Sequence, residues 1–243
     1  MNKTQIDFLH KLKKKKYRDK HQQFIVENPK VIWEEYNNPW LEMVYVTEKF
    51  FKEHEDEMVF KKTEVISEKE IAKIASQVNP AGMMALFNVP KQKKFTFQKQ
   101  NILILDHVTD PGNMGTIIRT ADWFGFHALF LSKNCVDVYN TKVVASTMGS
   151  IFRLNIYNDL DLPEIIPGLK DAGYTIAVTD LRGGEVKFNK KEKVALVIGS
   201  ESRGISEEIR ELADKSLKIT KFGKAESLNA AVAAGIIMHQ IKS

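Results

Sequence analysis

The chain has 243 residues, of which 43% are hydrophobic and 28% charged, with 36 basic and 31 acidic side chains giving a net charge of +5. That length suits one large domain or two modest ones with a substantial core. No apolar run approaches the roughly 18 residues of a membrane span, the first residues lack the apolar stretch of a secretory signal, and the one cysteine, Cys135, excludes an internal disulfide and a cysteine-built zinc site. A cytoplasmic, reducing location is the expectation.

Lys3–Lys16 carries Ile6, Leu9 and Leu12 at helical spacing and reads as an amphipathic helix. Eight basic residues fall in the first 20 positions, including Lys13-Lys14-Lys15-Lys16. They would attract a polyanion such as RNA, although a solvated helix end would carry the same charges. Phe24-Ile25-Val26 is a short strand, Pro29 opens a helix to about Tyr36, and Leu41–Val46 is a second strand. Ser67-Glu68-Lys69-Glu70 has capping-box spacing before Ile71 and Ile74, and Met83–Val89 is a third strand. These pieces form a small α/β domain, residues 1–92. Pro90-Lys91-Gln92-Lys93-Lys94 reads as the linker.

Beyond the linker the strands are fully apolar: Ile102–Leu105, Ala128–Leu131, Thr175–Val178 and Val194–Ile198. Such runs suit a parallel sheet covered on both faces. Helices are expected at Asn113–Gly125, about Thr141–Gly149, Leu162–Ala172, Ser206–Ala213 and Ser227–Ile241. The last is apolar nearly all round, so it must be buried on most sides, by its own sheet and by another subunit. The fold class is α/β, with residues 93–243 as the second domain.

Three loops of this domain carry polar groups and glycine. In the first, Asp110-Pro111-Gly112 is turn chemistry and Asn113 is placed to cap the helix that leads to Arg119. In the second, Gly199-Ser200-Glu201-Ser202-Arg203-Gly204 follows a strand with the glycine spacing of a phosphate loop. Ile205-Ser206 stands where that loop needs Lys-Ser/Thr, which argues against a nucleotide triphosphate site. In the third, Ile219 to Asn229, Ser227 is the expected N-cap of the last helix and Asn229 falls in its first turn. A strand, a glycine-bearing turn and a helix make the usual ligand edge of an α/β sheet.

Asn113-x-Gly115-x-x-x-Arg119, Gly199-x-Glu201-x-x-Gly204 and Glu226-Ser227-Leu228-Asn229 together resemble the three motifs of the SpoU (TrmH-like) family of RNA ribose methyltransferases, in the SPOUT superfamily. Ser146-Thr147-Met148-Gly149-Ser150-Ile151-Phe152-Arg153-Leu154 is similar to a further family segment. Lys16-Tyr17-Arg18, Phe24–Glu27 and Asn79-Pro80-Ala81-Gly82 resemble the ribosomal-protein-like RNA-binding domain often attached to these enzymes. Asn28 stands where the family has glycine, a position at which asparagine tolerates positive φ, and Thr220 stands where proline is common.

The resemblance implies a trefoil-knotted SPOUT domain, a homodimer, and methyl transfer from S-adenosylmethionine to a ribose 2′-hydroxyl, in ribosomal RNA ahead of transfer RNA and without a metal. It implies that Gly199, Ile219 and Leu228 hold the cofactor, with Gly199 allowing close approach. Asn113, Arg119, Glu201, Ser227 and Asn229 would face the methyl group and the nucleotide. Arg119 is the implied deprotonating or orienting group, which is demanding for a guanidinium with a pKa above about 12. A non-catalytic RNA-binding protein of the same fold, a tRNA 2′-O-methyltransferase and a base-nitrogen methyltransferase are the alternatives. The six histidines (10, 21, 54, 107, 127 and 239) show no metal-ligand spacing. His107 is expected to be structural, Trp33, Trp40 and Trp123 to be packed, and Cys135 to be an inert thiol.

Overall fold

The computed structural model describes residues 1–92, 94–96, 101–184, 188–189, 192–200 and 204–243. The chain forms two units, residues 1–91 with 137–149, and residues 92–136 with 150–243. In chain order the first 91 residues hold α1 (Lys3–Lys11), α2 (Lys15–His21), β1 (Gln23–Val26), α3 (Pro29–Glu34), β2 (Leu41–Thr47), α4 (Glu48–Glu53), β3 (Thr63–Ile66), α5 (Glu68–Ile74) and β4 (Met83–Asn88). Next come β5 (Ile102–Asp106), α6 (Pro111–Trp123), β6 (Ala128–Ser132), α7 (Thr141–Thr147), β7 (Asn155–Leu160) and α8 (Leu162–Asp171). The chain ends with β8 (Tyr174–Gly184), β9 (Lys193–Gly199), α9 (Glu207–Glu211), β10 (Lys215–Leu217) and α10 (Ala230–Lys242).

The first unit is built on a sheet of order β1-β4-β2-β3, in which only the β2–β3 pair is parallel. Leu9 and Leu12 pack with Ile25, Ile66, Ile71, Ile74, Met84 and Leu86. The helix expected over Lys3–Lys16 is two helices, because Leu12 closes α1 and Lys14 is extended. Two cations hold this break. Arg18 Nη1 donates to the Leu12 carbonyl at 2.7 Å, and Lys13 Nζ to the Ala75 carbonyl at 2.7 Å. A continuous helix would also stack the lysines on one another at i, i+3 spacing. Ser67 and Glu70 do form the capping box that starts α5.

Arg18 is only 3% exposed. Its Nε and Nη2 donate to Asp137 Oδ2 at 2.8 and 2.5 Å. Asp137 begins the segment 137–149, which carries α7 and belongs to this unit. The Tyr139 ring lies 4.8 Å from that of Phe24, and burial pushes its phenol well above the ordinary range. Asn28 has φ −95°, so it is not in the left-handed region; it caps α3 through Lys30 N, and its Nδ2 donates to Met148 Sδ at 3.4 Å. Asparagine here replaces glycine's freedom with a capping side chain.

The second unit holds a six-stranded parallel sheet, β10-β8-β9-β5-β6-β7. β5 and β6 are buried along their whole length. From β5 the chain walks outward to β6 and β7, then returns to the far side and leaves a slot that β9 fills. The order therefore reverses between β5 and β9, and α/β sheets bind ligands beyond the carboxyl ends at such a reversal. α6 and α10 pack on each other, so that a β-carbon at Gly235 would lie 3.6 Å from Thr120 Cγ2. Among the described residues no helix is long and apolar enough to cross a membrane.

Removing one partner of a buried ion pair leaves the other charge desolvated. Asp137→Ala is expected to cost about 3–5 kcal/mol in urea unfolding. The double replacement Arg18→Met with Asp137→Leu should recover most of that loss.

Candidate active site

The second loop begins where β9 ends, at Gly199. Ser200 and Gly204 form an antiparallel bridge, with N–H···O distances of 3.1 and 2.8 Å, and Gly204 has φ +68°. A β-carbon at Gly199 would lie 2.4 Å from the Gly204 carbonyl atoms and 2.6 Å from Ile205 N. Gly199 thus allows close approach of its own chain: the paired glycines fold the loop back on itself. Glu201 lies outside the described residues.

Asp106, the last residue of β5, pairs in register with Gly199 and is 2% exposed. Its Oδ2 accepts from Ser206 N at 2.9 Å, which fixes the exit of the second loop. Its Oδ1 pairs with His107 Nδ1 at 2.6 Å, and His107 Nε2 lies 2.9 Å from Asn134 Nδ2. A proton on Nδ1 satisfies both contacts, so the ring is held as a structural group. Cys135 donates to the Leu105 carbonyl at 3.3 Å, and burial raises its thiol pKa.

The first and third loops meet through their asparagines. Asp110, not Asn113, caps α6, accepting from Asn113 N at 2.7 Å with Pro111 in the first turn. The aspartate precedes proline, whose fixed φ suits the first helical position. Asn113 is therefore left with its side chain for another partner: Asn229 Nδ2 donates to Asn113 Oδ1 at 2.9 Å. Asn229, not Ser227, caps α10, its Oδ1 accepting from Ala231 N and Val232 N at 3.0 and 3.2 Å. One side chain thus starts a helix with its oxygen and reaches the first loop with its nitrogen.

Between the second and third loops lies a cleft of about 370 Å³. Gly199, Ile219, Ser227 and Leu228 line it, with Ile198, Leu217, Ala233 and Ile237 as apolar walls. Asn113, Arg119 and Asn229 are not among its lining residues. Arg119 is exposed on α6, next to the Thr120 that faces α10. Asp180 and Phe222 are among the lining residues that the sequence does not single out. Asp180 lines the cleft from β8 and is ion-paired with Arg210 Nη1. Phe222 stands on the third loop, 96% exposed. Trp123, expected to be packed, is 83% exposed at the end of α6; its helix turns that position away from the core that Ile117, Ile118 and Ala121 face.

A parallel α/β sheet with a cleft at the carboxyl ends of β8 and β9, lined by the second and third polar-glycine loops, has the build of a small-molecule-binding α/β protein. Residues 100–239 match the SpoU rRNA Methylase family, and residues 3–85 match an MRM3-like substrate binding domain. The chain belongs to the SpoU family. It is 30% identical over 234 residues to the 23S rRNA (guanosine(2553)-2′-O)-methyltransferase of Bacillus subtilis, covering 96% of this chain and 93% of that protein. An rRNA methyltransferase from Sinorhizobium meliloti, solved with bound AdoMet, superposes with TM-score 0.86 at 28% identity, covering 99% and 94% of the two chains. A TrmH/SpoU tRNA-modifying enzyme from A. aeolicus, 30% identical, covers 60% of this chain and 75% of its own, with TM-score 0.50.

A methyl group at Gly199 must displace backbone, whereas one at Gly204 meets open space and pays only for its positive φ. Gly199→Ala is expected to lower stability by about 1–3 kcal/mol, and Gly204→Ala by about 1–2 kcal/mol. Thermal unfolding of the full chain checks both, with loss of ligand binding expected chiefly for Gly199→Ala.

Proposed function

We propose that this chain transfers a methyl group from S-adenosylmethionine to a ribose 2′-hydroxyl of ribosomal RNA, in the cytoplasm. The observation that carries the reading is the Asn229–Asn113 hydrogen bond, which ties the first and third motif loops together beside the cleft. Preference for ribosomal over transfer RNA is supported by the alignments: the ribosomal enzymes match nearly the whole chain, and the tRNA enzyme matches 60% of it.

The cleft fits the cofactor. Its volume lies in the range of small-ligand sites, about 300–1,000 Å³, and its walls are mostly apolar. Gly199, Ile219 and Leu228 are the residues we assign to holding it. When bound, S-adenosylmethionine supplies an electrophilic methyl group on a sulfonium. The apolar walls keep water from a reaction in which opposite charges cancel. Arg119 orients the 2′-hydroxyl by donating to its oxygen, and the hydroxyl proton passes to a phosphate of the bound RNA as the methyl group is transferred. Asn113 and Asn229 hold the approach angle between α6 and α10. Ser227 lies on the polar rim, and Glu201 is assigned to positioning Arg119. In this scheme no side chain needs a metal.

Residues 1–92 are assigned to binding the RNA substrate and residues 93–243 to catalysis, the latter threaded as a trefoil knot. The basic start of the chain and the match to a substrate-binding domain support the first assignment. We also infer a homodimer. Exposed Trp123 and Val232 lie on α6 and α10, two helices that pack together and leave apolar surface uncovered.

Arg119→Ala should abolish methyl transfer, by 10²-fold or more on the order of a lost transition-state donor, with S-adenosylmethionine affinity by calorimetry unchanged. Wild-type turnover in this variant would remove Arg119 from the mechanism. Light scattering is expected to give a particle twice the mass of one chain, and Val232→Glu should halve it.

A further inference from the structure

Phe222 is the least explained side chain of the second unit. A phenylalanine that is 96% exposed gains nothing for folding, yet this one stands on the loop that walls the cleft. Lys221 precedes it and Lys224 follows two residues on, and both are exposed. Glu226 is the loop's one carboxylate. An aromatic ring between lysines, at the mouth of a methyl-donor cleft, has the two parts of a single-stranded nucleic acid contact: a face for a base and cations for the backbone.

We propose that Phe222 is an RNA-binding residue, on which a nucleobase at or next to the methylated nucleotide stacks. The proposal rests on the methyltransferase reading above and adds the residue that presents the base. Charge decides between the two aromatic ligands that could reach this ring. S-adenosylmethionine brings a sulfonium and an ammonium against one carboxylate, so two flanking lysines repel it. RNA brings phosphates, which the same lysines attract. Stacking tolerates any base, so Phe222 fixes where the strand lies and leaves sequence choice to other contacts.

The test uses the full chain. Phe222→Ala should raise KM for unmodified ribosomal RNA transcripts about tenfold or more, with S-adenosylmethionine affinity and particle mass unchanged. Phe222→Trp should restore KM, and its added fluorescence, measured against wild-type protein, should be quenched by a short single-stranded RNA. Lys224→Ala should lower the slope of log affinity against log salt by about 0.7, whereas Phe222→Ala leaves that slope alone. An unchanged KM and an unquenched tryptophan overturn the proposal. So does a defect in Phe222→Ala that follows cofactor affinity, which would put the ring on the cofactor's adenine, or one that follows particle mass, which would put it between subunits. The quenching experiment needs no turnover, so a wild-type protein that methylates nothing would fault the reaction without deciding Phe222.

Discussion

The backbone crossing at Gly199 is the constraint on which the site depends. β9 runs up the middle of the sheet and must turn sharply at its carboxyl end, and the following chain passes so close that no β-carbon fits. Asp106 secures the far side of that turn by taking Ser206 N from the neighbouring strand. A buried carboxylate accepting an amide is an expensive group to place in a core. Here it ties the exit of the second loop to the end of β5, beside the strand-order reversal. The third loop then needs only to lie across this frame, and Asn229 locks it to α6.

The central strands of the second unit could be read from the sequence because burial on both faces demands unbroken apolar runs. β7 and β10 could not. Asn155–Leu160 is polar at half of its positions and Lys215–Leu217 is three residues long, because edge strands lack a second strand neighbour to cover them. β3 was missed for the same reason. The motif loops were legible as loops: Gly199, Ile219, Ser227 and Leu228 line the cleft, Asn113 and Asn229 meet beside it, and Glu201 lies outside the described residues. The caps were misread by two or three positions at both α6 and α10. In each case a serine or asparagine nearby offered equally good local chemistry, and only the path of the chain decides which one the helix uses.

Asp180 and Phe222 show what remained hidden. Asp180 reaches the cleft because β8 lies beside β9, a neighbour relation that no spacing along the chain encodes. Phe222 is an aromatic residue among polar ones, a pattern that normally signals packing. Its exposure appears only when the loop's course is known. Arg18 is the converse case: a basic residue within a lysine-rich stretch proved to be buried and structural, while its neighbours stayed in solvent.

The excursion of residues 137–149 into the first unit has a bearing on how such proteins are inherited. β6 and β7 are neighbours in one sheet, yet the helix that joins them is folded with the other unit, against Arg18, Phe24 and Asn28. Recombination at the linker would therefore leave α7 with a foreign receiver. An exchange of the N-terminal module would need compensating changes at these few positions.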